Sequence, residues 1–279
     1  MKLFIGLIFA IASVLYSVSA EYEDICGIEN DSPYGKIIGG QEAAPNQFPW
    51  VVAIQMKFLV GNGSCTGSII NKKYILTAAH CVEDSKKFTI FAGSHDYSLF
   101  TETNRQIMKA SRGIPHPNFV NNGHDDIAII ELDEELEFNE FVRPICLPKY
   151  SDAVNTFVDE EITSTGWGLI KGQPSPVRVP QLHYVDGLRI IDNSICAQTY
   201  GPMVNENLIC IDSSEHKGIC NGDSGGPMNY KIGEKKYIQI GVADFVGGST
   251  CDDGMPEGFA RVTSYLEWIE EVTGRKAEQ

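Results

Sequence analysis

Cys220-Asn221-Gly222-Asp223-Ser224-Gly225-Gly226-Pro227 places one hydroxyl inside a turn with three glycines, directly after a cysteine. Glycine lets the chain take backbone angles that bulkier residues resist, so neighbouring amides can converge on one point. A serine is a poor nucleophile until a hydrogen-bonded imidazole takes its proton. The imidazole in turn needs a carboxylate to fix its tautomer and stabilise its cation. Alone, this stretch is only a turn. The rest of the chain must supply the other two groups.

It does so at a distance. Thr77-Ala78-Ala79-His80-Cys81 follows the apolar run Tyr74-Ile75-Leu76, and Asp125-Asp126 opens the run Ile127-Ala128-Ile129-Ile130. A lone histidine at a strand end is commonly structural, and an aspartate before an apolar run is commonly a cap. Together with Ser224 they form the set that acyl transfer requires, with backbone N–H groups available for the oxyanion. Gly222 to Gly226 also fits the G-x-S-x-G pattern of an esterase on an α/β-hydrolase fold. That fold orders its groups Ser, Asp, His, whereas here His80 comes first.

Around these motifs the chain reads as short β-rich runs cut by Gly, Pro, Asn and Asp. Val51 to Met56, Tyr74 to Thr77, Phe88 to Ala92, Ile127 to Leu132 and Tyr237 to Val242 are expected strands. Their recurrence without helices between them points to an all-β class of barrels or sandwiches. The C-terminus differs. Tyr265, Trp268, Ile269 and Val272 share one helical face, Ser264 with Glu267 reads as a capping box, and Gly274 as a stop.

Lys plus Arg total 22 against 37 Asp plus Glu, a net charge of -15, which excludes nucleic acid as a partner because that affinity comes from basic surface. Residues 1–20 read as a signal peptide: Lys2, the apolar run Leu3 to Tyr16, then Val18-Ser19-Ala20. No later stretch approaches the roughly 18 apolar residues of a membrane span, so the expected mature protein is secreted, with no membrane partner. Eight cysteines (Cys26, Cys65, Cys81, Cys146, Cys196, Cys210, Cys220 and Cys251) suit an oxidising compartment and four bridges, whose pairing spacing alone leaves open. No C-x-x-C pair exists to suggest zinc, and neither a metal nor another cofactor is expected.

The blocks Ile37-Ile38-Gly39-Gly40, TAAHC (77–81), DIAII (126–130) and GDSGGP (222–227) resemble the chymotrypsin-like serine endopeptidases over essentially Ile37 to Gly274. FVGGSTC (245–251) and GFARVTSYLEWI (258–269) are most similar to the arthropod chymotrypsin and collagenolytic branches. The resemblance implies two six-stranded antiparallel β-barrels, roughly 37–145 and 146–262, and a C-terminal helix within a peptidase domain 37–279. It implies His80 as general base, Asp126 as its orienting partner, Ser224 as nucleophile, and an oxyanion hole from the N–H groups of Gly222 and Ser224. Asp125 is expected to be a solvated neighbour. The implied bridges are Cys65–Cys81, Cys196–Cys210, Cys220–Cys251 and Cys26–Cys146. Residues 21–36 become an activation pro-segment: a trypsin-like protease cuts Lys36-Ile37, and the new Ile37 ammonium pairs with Asp223. Other implied partners are protein or peptide substrates and protein protease inhibitors. The alternative is a weak or inactive homologue that binds a partner.

The resemblance also implies that specificity rests on Gly218, Val246 and Glu257, which align with the family's floor, wall and back of the primary pocket. Gly218 lacks the trypsin aspartate, Val246 narrows the entrance, and Glu257 either faces the pocket or swings out to solvent. Together they suggest cleavage after apolar residues with some tolerance of Lys or Arg. Asp244 stands where the family usually has a serine beside the catalytic acid, either against Asp126 or turned to solvent. Asn62-Gly63-Ser64 and, less favourably, Asn30-Asp31-Ser32 are glycan sequons.

Overall fold

A computed structural model describes residues 22, 24–32, 40–121, 123–172, 174–248, 250–251 and 253–274. The expected signal peptide and the Lys36-Ile37 junction lie outside these residues. Sixteen strands occur among them. In the first half these are β1 (Gln41–Glu42), β2 (Val51–Lys57), β3 (Asn62–Ile69), β4 (Tyr74–Thr77), β5 (Lys87–Ala92), β6 (Gln106–Ala110), β7 (Arg112–Pro115) and β8 (Ala128–Glu131). The second half holds β9 (Glu161–Gly166), β10 (Leu169–Lys171), β11 (Val177–Arg178), β12 (His183–Ile191), β13 (Leu208–Ile211), β14 (Pro227–Lys231), β15 (Tyr237–Phe245) and β16 (Glu257–Arg261).

The first sheet runs β6-β5-β2-β3-β4-β8-β7. Its two edge strands are separated only by Ser111, so the chain itself links the ends of the sheet. In the second sheet β9, β14, β15, β16, β13 and β12 form a closed barrel, because β12 also pairs with β9. The small β1 pairs with β12 rather than with the first sheet, so the 37–145 half contributes a strand to the other barrel. Burial of Val51 to Ile54 without alternation shows why β2 is so apolar: one face fills a barrel and the other is covered. The halves meet through buried polar pairs, Trp50 Nε1 donating to Asn229 Oδ1 at 2.9 Å and Ser68 Oγ to Gln239 Oε1 at 2.5 Å. A desolvated donor left unpaired would be costly, so these pairs fix how the barrels dock.

Two eight-residue helices lie among the described residues: α1 (Asn193–Tyr200), capped by the Asp192 carboxylate on the Ser194 amide, and α2 (Leu266–Thr273). Leu266 and Ile269 are buried, and Gly274 ends α2 in the left-handed conformation. The expected capping box is absent. Val262–Tyr265 forms a tighter 3-10 turn, so Ser264 lies inside a turn and no side chain caps α2. The bridges are Cys26–Cys146, Cys65–Cys81, Cys196–Cys210 and Cys220–Cys251, the pairs the resemblance implies. Among the described residues no helix is long and apolar enough to cross a membrane.

Candidate active site

His80 sits in the single 3-10 turn Ala79–Cys81 that ends β4, tied down where Cys81 bonds Cys65 on β3. Asp126 lies just before β8, the ladder neighbour of β4, with Thr77 opposite Ala128. That register delivers the carboxylate to the turn. Asp126 is 6% exposed and accepts from the His80 amide at 2.9 Å and from Nδ1 at 2.5 Å. A carboxylate acceptor puts the ring proton on Nδ1, which leaves Nε2 as the basic nitrogen. Asp125 is not the solvated neighbour expected from sequence. It adopts φ +58° and accepts from Tyr265 OH at 2.8 Å and Asn207 Nδ2 at 3.2 Å, so its side chain is locked away from His80.

The Ser224 turn comes from the other barrel and is clamped on both sides. The Ser224 carbonyl accepts from Thr66 N–H at 2.9 Å, and Gly225 N–H donates to Ala243 O at 2.8 Å. Thr66 Oγ1 donates to the Gly222 carbonyl at 3.0 Å. Gly225 has φ +78°, and a Cβ there would collide with Thr77 Oγ1 and the Thr66 carbonyl, so only glycine allows the approach. Ser224 is thus held against β3 and the Thr77-Ala78 segment that leads to His80. The Gly222 and Ser224 N–H groups make no backbone hydrogen bond among the described residues. They remain available as donors.

Asp223 points inward, accepting from Gly168 N–H at 2.7 Å and Cys220 N–H at 2.9 Å. Burial pushes its pKa up, against the two amides and the nearby Arg178 charge. Beside it lies a cavity of about 400 Å³, lined by Gly40, Gly168, His183, Gly218 and Asp223 among others. Gly40 is three positions beyond Ile37.

Glu257 does not swing out to solvent. It is 2% exposed and accepts from Ile219 N–H at 2.7 Å. Its carboxylate abuts Gly218, where any Cβ would strike it. Burial pushes its pKa up to about 8, while the Ile219 hydrogen bond pulls the other way. Val246 packs at the edge of the second barrel core, with Phe245 stacked edge-on against Tyr200. Asp244 faces the site: its carboxyl hydrogen-bonds Asp126, and burial, then the Asp126 charge, pushes its pKa well above the ordinary carboxylate range. Among potential metal ligands, Cys65, His80 and Cys81 come together, but both cysteines are spent in one disulfide. Asn62 is exposed at the start of β3. Asn30, in contrast, donates through Nδ2 to Asn46 O and Glu140 O, both at 2.8 Å.

Sequence reasoning missed Arg178, whose guanidinium reaches the Trp167 and Asn221 carbonyls. Only a pairing of the weak β10 and β11 runs would have signalled it.

Residues 37–269 match the trypsin family. The chain belongs to that family. It is 36% identical over 243 residues to a collagenase of Hypoderma lineatum, spanning 86% of this chain and 88% of that protein. Brachyurin of Leptuca pugilator is 35% identical over 85% of this chain and 99% of its own length. A venom serine protease of Polistes dominula is 34% identical over 96% of each. The solved structure of HL collagenase superposes with a TM-score of 0.75 at 36% identity, covering 86% of this chain and all of that one. The fold is therefore the chymotrypsin fold, and the protein is a serine endopeptidase.

Proposed function

We propose that this endopeptidase is a secreted zymogen that cleaves protein and peptide substrates through an acyl-enzyme. His80 acts as base, Asp126 as its orienting carboxylate and Ser224 as nucleophile. The observation that carries the reading is the His80 Nδ1 to Asp126 pair at 2.5 Å, formed beside a Ser224 turn braced by Thr66. Ser224 Oγ attacks the scissile carbonyl as His80 Nε2 takes its proton. The Gly222 and Ser224 amides meet the oxyanion, and the imidazolium returns its proton to the leaving amine. Asp244, as a neutral carboxylic acid, donates to Asp126 where the family uses a hydroxyl.

Cleavage of Lys36-Ile37 by a trypsin-like protease frees an ammonium for Asp223, and the cavity beside that carboxylate supports this reading. The pro-segment stays tethered through Cys26–Cys146. Protein protease inhibitors are the natural competitors for the same cleft. Asn62 is the sequon open to a glycan, which a glycosidase mass shift detects.

The primary pocket is nearly neutral at pH 7, because Glu257 then holds its proton. It takes Leu, Phe, Tyr and smaller apolar side chains, and ionisation of Glu257 beside a bound cation gives a secondary tolerance of Lys and Arg. The test is a mixed peptide library digested by the trypsin-cut protein, with the trypsin then inhibited. Glu257→Gln should retain apolar cleavage and lose the basic sites. Exclusive cleavage after Arg or Lys contradicts the pocket assignment.

A further inference from the structure

The peptide joining Asn221 and Gly222 is a planar trans unit, so its C=O and N–H point in opposite directions. Whatever fixes the Asn221 carbonyl therefore aims the Gly222 amide. Two donors hold that carbonyl: Leu169 N–H at 3.0 Å and Arg178 Nη2 at 3.0 Å. They come from one rung of the β10–β11 hairpin, where Leu169 and Arg178 are direct partners. The same guanidinium reaches the Trp167 carbonyl through Nη1 at 2.8 Å. It covers Gly222 so closely that a Cβ there would stand 2.7 Å from Nη1. Gly222 itself holds φ +109°, a conformation that side chains disfavour.

We propose that Arg178 is a positioning residue for catalysis, its guanidinium clamping the Asn221 and Trp167 carbonyls so that the Gly222 amide stays turned toward the oxyanion. This rests on the reading of Gly222 as an oxyanion donor and names what holds that donor in place. Arginine suits the task because its rigid fork offers separate N–H groups to two carbonyls, whereas a lysine ammonium is a compact point charge on a flexible stem. Without the fork, Leu169 alone restrains the peptide. The plane can then turn over and put a carbonyl where the donor belongs. The arrangement also ties a surface hairpin to the catalytic centre.

The experiment compares Arg178→Met and Arg178→Lys with wild type, all trypsin-cut, after confirming equal melting temperatures. Removing an oxyanion donor outright costs about 10²–10³ in kcat, so loosening one should lower kcat roughly 10-fold in Arg178→Met with KM nearly unchanged. Affinity for a peptide boronate, whose tetrahedral adduct places an oxygen in the hole, should fall in parallel. Arg178→Lys keeps the charge near Asp223 and should recover only part of the loss. Wild-type kcat in Arg178→Met, or full recovery in Arg178→Lys, overturns the clamp while leaving the Ser224 chemistry standing. Turnover that survives in Ser224→Ala instead removes the catalytic reading, and the inference with it.

Discussion

Glu257 is a buried carboxyl whose proton affects stability and, in the proposed pocket, specificity. Its pKa is pushed up to about 8 from an ordinary 4.5, first by burial. Between those values the folded chain keeps a proton that the unfolded chain has lost, so stability falls as pH rises through the window. Glu257→Gln removes that dependence. The variant should gain unfolding free energy relative to wild type from about pH 4.5 to about pH 8, with a difference on the order of several kcal/mol at the upper end. A constant gap across the window, followed by calorimetry, contradicts the buried assignment. The contact of His80 with Asp126 was legible in the sequence, because the residue types that acyl transfer needs stand in recognisable local runs, and Ser224 is proposed from a third such run. The orientations of Asp244 and Glu257 were not legible, since side-chain direction at a strand end depends on what packs against it. Asp125 misled for the same reason: its Tyr265 partner lies 140 positions away.

The C-terminal helix illustrates what periodicity does and does not reveal. Its apolar face was readable at Trp268, Ile269 and Val272, whereas Tyr265 falls in the 3-10 turn before it, and the left-handed Gly274 ends it as expected. Its start was misread, because the 3-10 turn at Val262–Tyr265 consumes the residues that would have capped it. The helix α1 escaped notice altogether. It buries only Cys196, so it leaves almost no apolar stripe in the sequence. The strand Tyr74–Thr77 matched its run, Tyr237–Phe245 extends three residues beyond the expected end at Val242, and β10 and β11 are too short and exposed to carry a pattern. Since α2 acts by packing, Ile269→Ala should cost about 2–4 kcal/mol. Turnover per folded molecule should remain unchanged. A variant with full stability, or with impaired kcat at full folding, would show that the helix does something else.

At the scale of the whole molecule, the curved first sheet meets the closed second barrel, and the proposed site draws His80 and Asp126 from the first and Ser224 from the second. On that reading activity depends on how the halves dock and on the proposed cleavage at Lys36-Ile37. Desolvation raises the pKa of Asp223, and in the proposed activation a new Ile37 ammonium would offset this cost. Lys36→Gln should therefore stay inactive when trypsin is added, while wild type gains activity as the new Ile37 terminus appears in sequencing. Full activity in the uncut variant contradicts the zymogen reading. The acidic balance of the sequence says nothing of the contacts between halves, which depend on residues more than a hundred positions apart. The most direct measurement of the central claim is mass spectrometry of the trypsin-cut protein after reaction with a fluorophosphonate. The account predicts a single adduct on Ser224, lost in Ser224→Ala and His80→Ala together with proteolysis. An adduct on another residue, or proteolysis that persists in Ser224→Ala, would contradict it.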